Sequence, residues 1–179
     1  MSIPVIAVVG LSDSGKTRVA TALIRSLAAR GYSVAAIKHA SHGHQPSPPG
    51  KDSERLYSAG AQQVVVSSPG LVTTIVRRDR DATLEEIVAT LIPRPDLVIA
   101  EGFKGSNAPK ILVRGKERSR DSIQNVIALV GEMEMGETVP SYDFQELESL
   151  ANQIQDQLLN HVQKDSRAGS PRPKEAHPC

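Results

Sequence analysis

Residues 10–17 read GLSDSGKT, a glycine followed by four residues and then Gly-Lys-Thr. This spacing suits phosphate binding, because Gly10 and Gly15 let the backbone bend until successive N–H groups converge on phosphate oxygens. We expect the ammonium of Lys16 to neutralise phosphate charge and the hydroxyl of Thr17 to ligate Mg²⁺. The predicted nucleotide-binding residues are Gly10, Ser12, Asp13, Ser14, Gly15, Lys16, Thr17 and Arg18.

A nucleotide-bound magnesium ion usually needs a second oxygen ligand from a neighbouring strand, and the segment PDLVIAEGFKG offers two carboxylates. Asp96 precedes the apolar run, whereas Glu101 ends it, and ligands of open α/β sheets bind at the carboxyl ends of the strands. We predict that Glu101 holds the ion together with Thr17, either directly or through a water molecule. The predicted catalytic residues are Lys16, Asp52 and Glu101.

The segments around these residues predict alternating strands and helices. Residues 3–10 are a continuous apolar run, which is typical of a strand covered on both faces, and a helical pattern that starts near Lys16 and ends at Gly31 follows it. A second buried strand at 32–39 completes a βαβ unit. We predict further strands at 63–68, 70–77, 96–102, 110–114 and 125–131, and further helices at 52–60, 83–92 and about 143–163.

This order of elements predicts an α/β fold of the P-loop NTPase class, a mostly parallel twisted sheet flanked by helices. Residues 1–163 are assigned to one nucleotide-binding domain. The tail at 164–179 is rich in Pro, Ser and charged residues without an apolar pattern, so we expect it to be disordered. Asp52 or Ser53 is the expected N-cap of its helix, and Thr83 and Asp143 each precede a glutamate at capping-box spacing.

Composition excludes several classes of function. The 179 residues carry a formal net charge of +1, which supplies no field for nucleic acid. No apolar run approaches the roughly 20 residues of a membrane span. The single cysteine, Cys179, permits neither an internal disulfide nor a cysteine metal cage. We therefore expect a cytoplasmic protein that binds neither nucleic acid nor membrane.

A stretch rich in histidine and proline, IKHASHGHQPSPPGKDS, occupies residues 37–53. His39, His42 and His44 are close enough in sequence to ligate one metal ion. Two alternative interpretations are that these histidines belong to a switch loop that faces phosphate or a partner, or that their side chains are simply solvated. Lys51 and Asp52 have two interpretations: the start of a helix, or a carboxylate facing Mg²⁺ beside an ammonium that reaches phosphate or a pterin.

The motifs as a set resemble the MobB family of molybdopterin-guanine dinucleotide biosynthesis adaptor proteins. The similarity comprises the phosphate-binding motif, IKH with the histidine stretch, PGKDS, AGA, DLVIAEGFKG and PKILV, in that order over about residues 3–160. The resemblance implies a GTP-binding, weakly hydrolysing homodimer. It also implies a partner, the guanylyltransferase MobA, which joins GMP from GTP to molybdopterin.

The resemblance further implies a switch or pterin-binding loop. Members of the family usually carry His-x-His-His followed by several aspartates, whereas here the loop from residue 39 contains no acidic residue until Asp52. Lys104, which follows Glu-Gly-Phe, either binds a pterin phosphate or stays in solvent. The loop residues at matching positions, with Lys104, are His39, His42, Gly50, Lys51, Asp52, Ser53 and Lys104.

Two other functional classes share the phosphate-binding motif. A small-molecule kinase needs an acceptor pocket and usually an arginine-rich lid. A metal-delivery GTPase would use the histidine loop as its metal site. The residues alone leave ATP and GTP equally possible, since no Asn-Lys-x-Asp tetrad is present.

Overall fold

A computed structural model describes residues 2–41, 43, 50–115, 122–132 and 138–159. The predictions for His42, His44 and the tail lie outside the described residues. The chain divides into two compact units, one formed by Met1–His39 with Val88–Cys179 and the other by Ala40–Ile87. Among the described helices, none is long and apolar enough to pass through a bilayer.

The first unit is built on a six-stranded sheet in the order β2-β5-β1-β6-β7-β8, in which every neighbouring pair is parallel. This arrangement confirms the predicted fold class. The strands of the chain are β1 Val5–Val9, β2 Val34–Lys38, β3 Gln63–Ser68, β4 Leu71–Val76, β5 Leu97–Glu101, β6 Lys110–Arg114, β7 Val126–Gly131 and β8 Ser141–Tyr142. The helices are α1 Lys16–Ala29, α2 Asp52–Ser58, α3 Leu84–Val88 and α4 Leu147–Ile154, and a π-helical turn, Gln155–Leu159, follows α4.

The main core lies between one face of this sheet and helices α1 and α4. Leu23 and Leu27 of α1 and Leu150 and Ile154 of α4 are fully buried there. Their spacing of four residues places them on one side of each helix, as the sequence pattern predicts. The strand residues of the same cluster are Ile6, Val8, Leu97, Ile99, Ile111, Val113, Ala128 and Val130.

The connection from β5 to β6 contains no helix within residues 102–109. It is held by Lys110, the first residue of β6, whose side chain is buried. The Nζ atom of Lys110 donates to the carbonyl oxygens of Ser106 at 2.6 Å and Ala108 at 3.1 Å. Burial lowers the pKa of this ammonium.

The second unit contains an antiparallel hairpin of β3 and β4, with the predicted turn at Pro69-Gly70 between them. Val64 and Ile75 face each other across the strands and are its buried pair. The reciprocal capping box before α3 is confirmed: Thr83 N donates to Glu86 Oε2 at 3.0 Å, and Glu86 N donates to Thr83 Oγ1 at 3.2 Å.

Three local predictions were wrong. The N-cap of α2 is Lys51, with no side-chain cap hydrogen bond, so neither Asp52 nor Ser53 caps it. Helix α3 ends at Val88, well before Pro93. The last helix begins at Leu147 although Asp143 and Glu146 form the expected reciprocal hydrogen bonds, because residues 143–146 make a separate turn.

The end of the last helix adds a core residue that a regular pattern does not predict. The helical spacing predicts Leu158 on the apolar face, and Leu158 is partly buried against the core, but the fully buried residue is Leu159. In a π-helical turn each backbone hydrogen bond joins residues that are five positions apart. Leu159, five residues after Ile154, therefore takes the core position, and residues 160–163 lie outside the described part.

Candidate functional site

The phosphate loop, residues 10–17, connects β1 to α1 and approaches its surroundings closely at both glycines. A Cβ atom on Gly10, where φ is 154°, would lie 2.3 Å from the Val113 carbonyl oxygen. A Cβ atom on Gly15, where φ is 98°, would lie 2.9 Å from the ring of Phe144. Only glycine fits both positions, which explains the spacing that identified the loop.

Helix α1 starts without a side-chain cap. Its N-cap is Gly15, in the left-handed conformation, and no side chain hydrogen-bonds to the first turn. The first amide groups of a helix have no partner within the helix, and together with the helix dipole they favour an anion. The loop therefore has the backbone geometry that phosphate recognition requires.

Two polar side chains of the loop, those of Lys16 and Ser14, face the loop itself. The ammonium of Lys16 donates to the carbonyl oxygen of Leu11, so it folds back over its own loop. Ser14 is buried, and within the described residues its Oγ atom has no hydrogen-bond partner. A buried hydroxyl without a partner is costly, so the loop has capacity for a further polar contact.

Glu101 lies beside the loop because of the strand order. Strand β5 pairs in parallel with β1, with Glu101 in register with Val8, and both strands end at the same edge of the sheet. Thr17 Oγ1 donates to Glu101 Oε2 at 2.8 Å. Asp96, the alternative carboxylate, lies at the other end of β5 and accepts from Ser33 N at 2.7 Å.

Lys38 forms an ion pair with the second oxygen of the Glu101 carboxylate. Its Nζ atom lies 2.7 Å from Glu101 Oε1, and the Lys38 side chain is 62% exposed whereas that of Glu101 is 13% exposed. Burial raises the pKa of Glu101. The hydrogen bonds from Lys38 and Thr17 and the charges of Lys38 and Lys16 together lower it by more, so the net shift of the pKa is downward. Glu101 is consequently ionised at neutral pH.

The oxygen atoms of Thr17 and Glu101 fit a magnesium ion by their chemistry. Mg²⁺ prefers hard oxygen ligands and keeps several waters, so two protein oxygens beside a phosphate site suffice. No group of three metal-ligating side chains occurs among the described residues. The three-histidine metal site was predicted partly from His42 and His44, which fall outside that part of the chain.

His39 lies next to this carboxylate through the backbone. Its N–H donates to the Glu101 carbonyl oxygen at 2.9 Å, and its ring centroid is 5.1 Å from that of Phe103. A Cβ atom on Gly102 would lie 3.0 Å from His39 Cβ, so glycine is needed there. Lys104 is exposed within the crossover between β5 and β6.

The remaining predicted site residues belong to the second unit. Gly50, Lys51, Asp52 and Ser53 form the entry to α2, where Gly50 has a φ of 78° and its N–H donates to Glu54 at 3.4 Å. Their proposed catalytic and pterin-binding roles stay predictions.

Sequence reasoning missed two neighbours of the loop. Lys38 directly precedes His39 at the carboxyl end of β2, and a strand-end lysine next to a histidine was the available signal. Phe144 had no comparable signal, because it lies far along the chain from the glycine that it contacts.

The chain is similar to proteins of molybdopterin guanine dinucleotide synthesis. Residues 5–132 match the family model MobB, described as molybdopterin guanine dinucleotide synthesis protein B. The adapter protein of that biosynthesis from Haemophilus influenzae is 36% identical over 120 residues, covering 66% of this chain and 67% of the relative. The Escherichia coli adapter protein is 31% identical over 160 residues, covering 84% of this chain and 90% of the relative.

Solved structures agree with that similarity. The crystal structure of a molybdopterin-guanine biosynthesis protein B superposes with a TM-score of 0.69 at 28% identity. The superposition covers 85% of this chain and 98% of that one.

Proposed function

Because the chain belongs to the MobB family, we propose that it is an adapter of molybdopterin guanine dinucleotide biosynthesis that binds GTP with Mg²⁺ in its phosphate loop. The proposal includes slow GTP hydrolysis and assistance to the guanylyltransferase MobA, which takes GTP and molybdopterin. Molybdopterin is the second ligand of the proposal, and within the first unit His39 and Lys104 are the positions that would serve it.

The observation that carries the nucleotide part is the contact between Thr17 and Glu101. A hydroxyl at the end of a phosphate loop and a partly buried, ionised carboxylate on the adjacent strand lie 2.8 Å apart. This pair provides two hard oxygens next to the first turn of α1, where the amide groups favour phosphate. A glycine-rich turn without a ligand would not require either oxygen at this edge of the sheet.

Magnesium fits this pair by donor chemistry, and when bound it would neutralise charge on the phosphate oxygens. Thr17 and Glu101 would hold the ion. Lys16, now on the Leu11 carbonyl, would turn to the phosphates, since a carbonyl at the loop is a weaker partner for an ammonium than an anion is. The catalytic role predicted for Asp52, which belongs to the second unit, stays a separate proposal.

A homodimer is the second part of the proposal, and the hairpin of β3 and β4 supports it. Val65, Val72 and Val76 lie on one face of this hairpin and are 56%, 62% and 50% exposed. A two-stranded hairpin is marginally stable in water on its own, and several exposed valines on one face mark an interaction surface.

The composition of that face favours a second copy of the chain as its occupant. Its six positions carry no ionisable side chain, so two copies related by a two-fold axis meet without repulsion between like charges. The hairpin face consists of Gln63, Val65, Ser67, Val72, Thr74 and Val76.

Titration calorimetry with GTP, with and without Mg²⁺, tests the nucleotide part, and formation of guanine dinucleotide by MobA with and without this protein tests the adapter part. We expect Mg²⁺-dependent GTP binding and increased product. A protein that bound no GTP, or left MobA product unchanged at a stoichiometric ratio, would contradict the respective part.

A further inference from the structure

Lys38 contacts the Glu101 carboxylate without belonging to the phosphate loop. It is the last residue of β2, and it pairs in register with Glu101, the last residue of β5. Its Nζ atom donates to Glu101 Oε1 at 2.7 Å. Because the two residues are neighbours across paired strands, the sheet itself places Lys38 beside this carboxylate.

Both oxygens of the Glu101 carboxylate are engaged by protein donors. Thr17 Oγ1 donates to Oε2 at 2.8 Å, and Lys38 Nζ donates to Oε1. The two donors differ in chemistry, because a hydroxyl keeps lone pairs that can ligate an ion, whereas an ammonium has donors only and carries a positive charge. Lys38 must therefore leave Oε1 before that oxygen can ligate a metal ion.

Lys38 can leave this carboxylate at little cost. Its side chain is 62% exposed, and a lysine ammonium is strongly hydrated on a flexible stem, so it returns to water when the contact breaks. Glu101 differs, because only 13% of its side chain is exposed and its charge needs a partner. Lys38 and a metal ion are thus alternative partners of one fixed carboxylate.

The charges around Glu101 decide when this exchange is favourable. Lys16 and Lys38 act on the carboxylate with two positive charges. The other charged residues of the loop, Asp13 and Arg18, are of opposite sign to each other. The protein side of the site is therefore net positive, which opposes a divalent cation, whereas a triphosphate adds several negative charges and reverses the balance.

We propose that Lys38 is a positioning residue that competes with Mg²⁺ for Glu101, so that the ion is bound together with the nucleotide and not before it. The inference rests on the proposed function and adds an order of binding to it. Lys38 holds the charged Glu101 in place beside Thr17, and it returns to the carboxylate when nucleotide and ion depart. It also sets the Mg²⁺ concentration that GTP binding requires.

The test measures metal binding by the full chain without nucleotide, with Mn²⁺ in place of Mg²⁺ and electron paramagnetic resonance of the free ion as the readout. We expect Lys38→Met to bind Mn²⁺ roughly tenfold more tightly than the natural protein, the order of the effect of one unit charge on a nearby divalent ion. Half-saturation of GTP binding with Mg²⁺ should shift to a lower concentration. Lys38→Arg keeps the charge and should restore the natural values.

Two further variants separate competition at the carboxylate from a general effect of charge. Glu101→Gln combined with Lys38→Met should lose the gain in affinity, since the gain requires the anionic oxygen. Arg30→Gln removes a positive charge at the other end of α1, where Glu148 and Gln155 hold Arg30, and should leave Mn²⁺ binding unchanged. Thermal unfolding confirms that each variant is folded.

Unchanged Mn²⁺ binding in Lys38→Met would overturn the inference, and so would an equal gain in Arg30→Gln or a gain that persists after Glu101→Gln. Binding of GTP with Mg²⁺ by the natural protein would leave the proposed function intact in each of these cases. A natural protein that bound no GTP would overturn the proposed function, and the inference would fall with it.

Discussion

Thr17 Oγ1 donates a hydrogen bond of 2.8 Å to Oε2 of Glu101, across 84 positions of sequence. The contact exists because β1 and β5 are parallel neighbours and end at one edge, so the loop after one strand meets the last residue of the other. The same carboxylate also holds Lys38. Glu101 therefore links the loop after β1 to the end of β2 at one edge of the sheet.

Glu101→Gln should reduce the Mg²⁺ dependence of GTP binding. The amide still accepts a hydrogen bond from Thr17 but carries no charge for the ion, and Mg²⁺ prefers anionic oxygen. GTP affinity measured at several Mg²⁺ concentrations should rise less steeply with Mg²⁺ than in the natural protein. Asp96→Asn, which changes the carboxylate at the other end of the strand, should leave the dependence intact; an equal effect of both substitutions would exclude Glu101 as the ligand.

Lys16→Ala should weaken GTP binding by about 1.5–3 kcal/mol, the scale of a lost charge-assisted hydrogen bond. Its ammonium is already at the loop, on the Leu11 carbonyl, and needs only to turn toward a phosphate. Calorimetry gives the affinity, and a thermal unfolding curve confirms that the variant is folded. A folded variant with unchanged affinity would remove Lys16 from the site.

The sequence predicted this part of the site because its signals are local. The spacing of Gly10, Gly15, Lys16 and Thr17 defines a turn whose geometry glycine alone permits, and an apolar run ending in Glu101 marks a strand end. Which strands are neighbours is not local. Lys38 was therefore missed, since its contact depends on β2 lying beside β5.

The free energy of unfolding at acidic pH should depend on Glu101. Its pKa in the folded protein is below the ordinary value, so ionised Glu101 stabilises the fold at neutral pH, and this contribution falls as pH drops from about 4.3 through the folded pKa. Urea unfolding of the natural protein and Glu101→Gln at pH 7, 4.5 and 3 should show a difference in unfolding free energy that shrinks with acidification. The subtraction cancels the other acidic groups, and a constant difference would contradict the assigned shift.

Charged substitutions on the hairpin face should separate the proposed dimer. Val65→Lys with Val72→Lys places four ammonium groups in a two-fold interface, where like charges repel. Light scattering after size exclusion should give the mass of one chain, against two for the natural protein. Ile92→Lys is the control, because Ile92 is equally apolar, 93% exposed and not part of the hairpin; a monomeric natural protein would contradict the proposal outright.

The crossover between β5 and β6 was also beyond sequence reasoning. Its eight residues contain no helical pattern, and nothing in Pro-Lys-Ile-Leu-Val indicates that a lysine would be buried. Lysine is rarely buried unless it is paired, and Lys110 is paired with two carbonyl oxygens of the crossover. The sequence shows that residue 110 is a lysine. Its role depends on the path of residues 102–109, whose carbonyl oxygens accept its hydrogen bonds.

Lys110→Met should therefore lower the unfolding free energy by about 1–3 kcal/mol, the cost of leaving buried acceptors without their donor. Methionine preserves most of the packing, so the loss isolates the two hydrogen bonds from the volume of the side chain. Relief from burying an ammonium opposes this effect, but the carbonyl oxygens of Ser106 and Ala108 both lose the donor that Lys110 provides. Urea unfolding measures the change, and Lys38→Met, which removes a largely exposed ammonium, should cost less than about 1 kcal/mol. Because Lys110 holds the crossover through these two carbonyl oxygens, hydrogen exchange of residues 102–109 should become faster in Lys110→Met. Unchanged stability and exchange would contradict this role of the lysine.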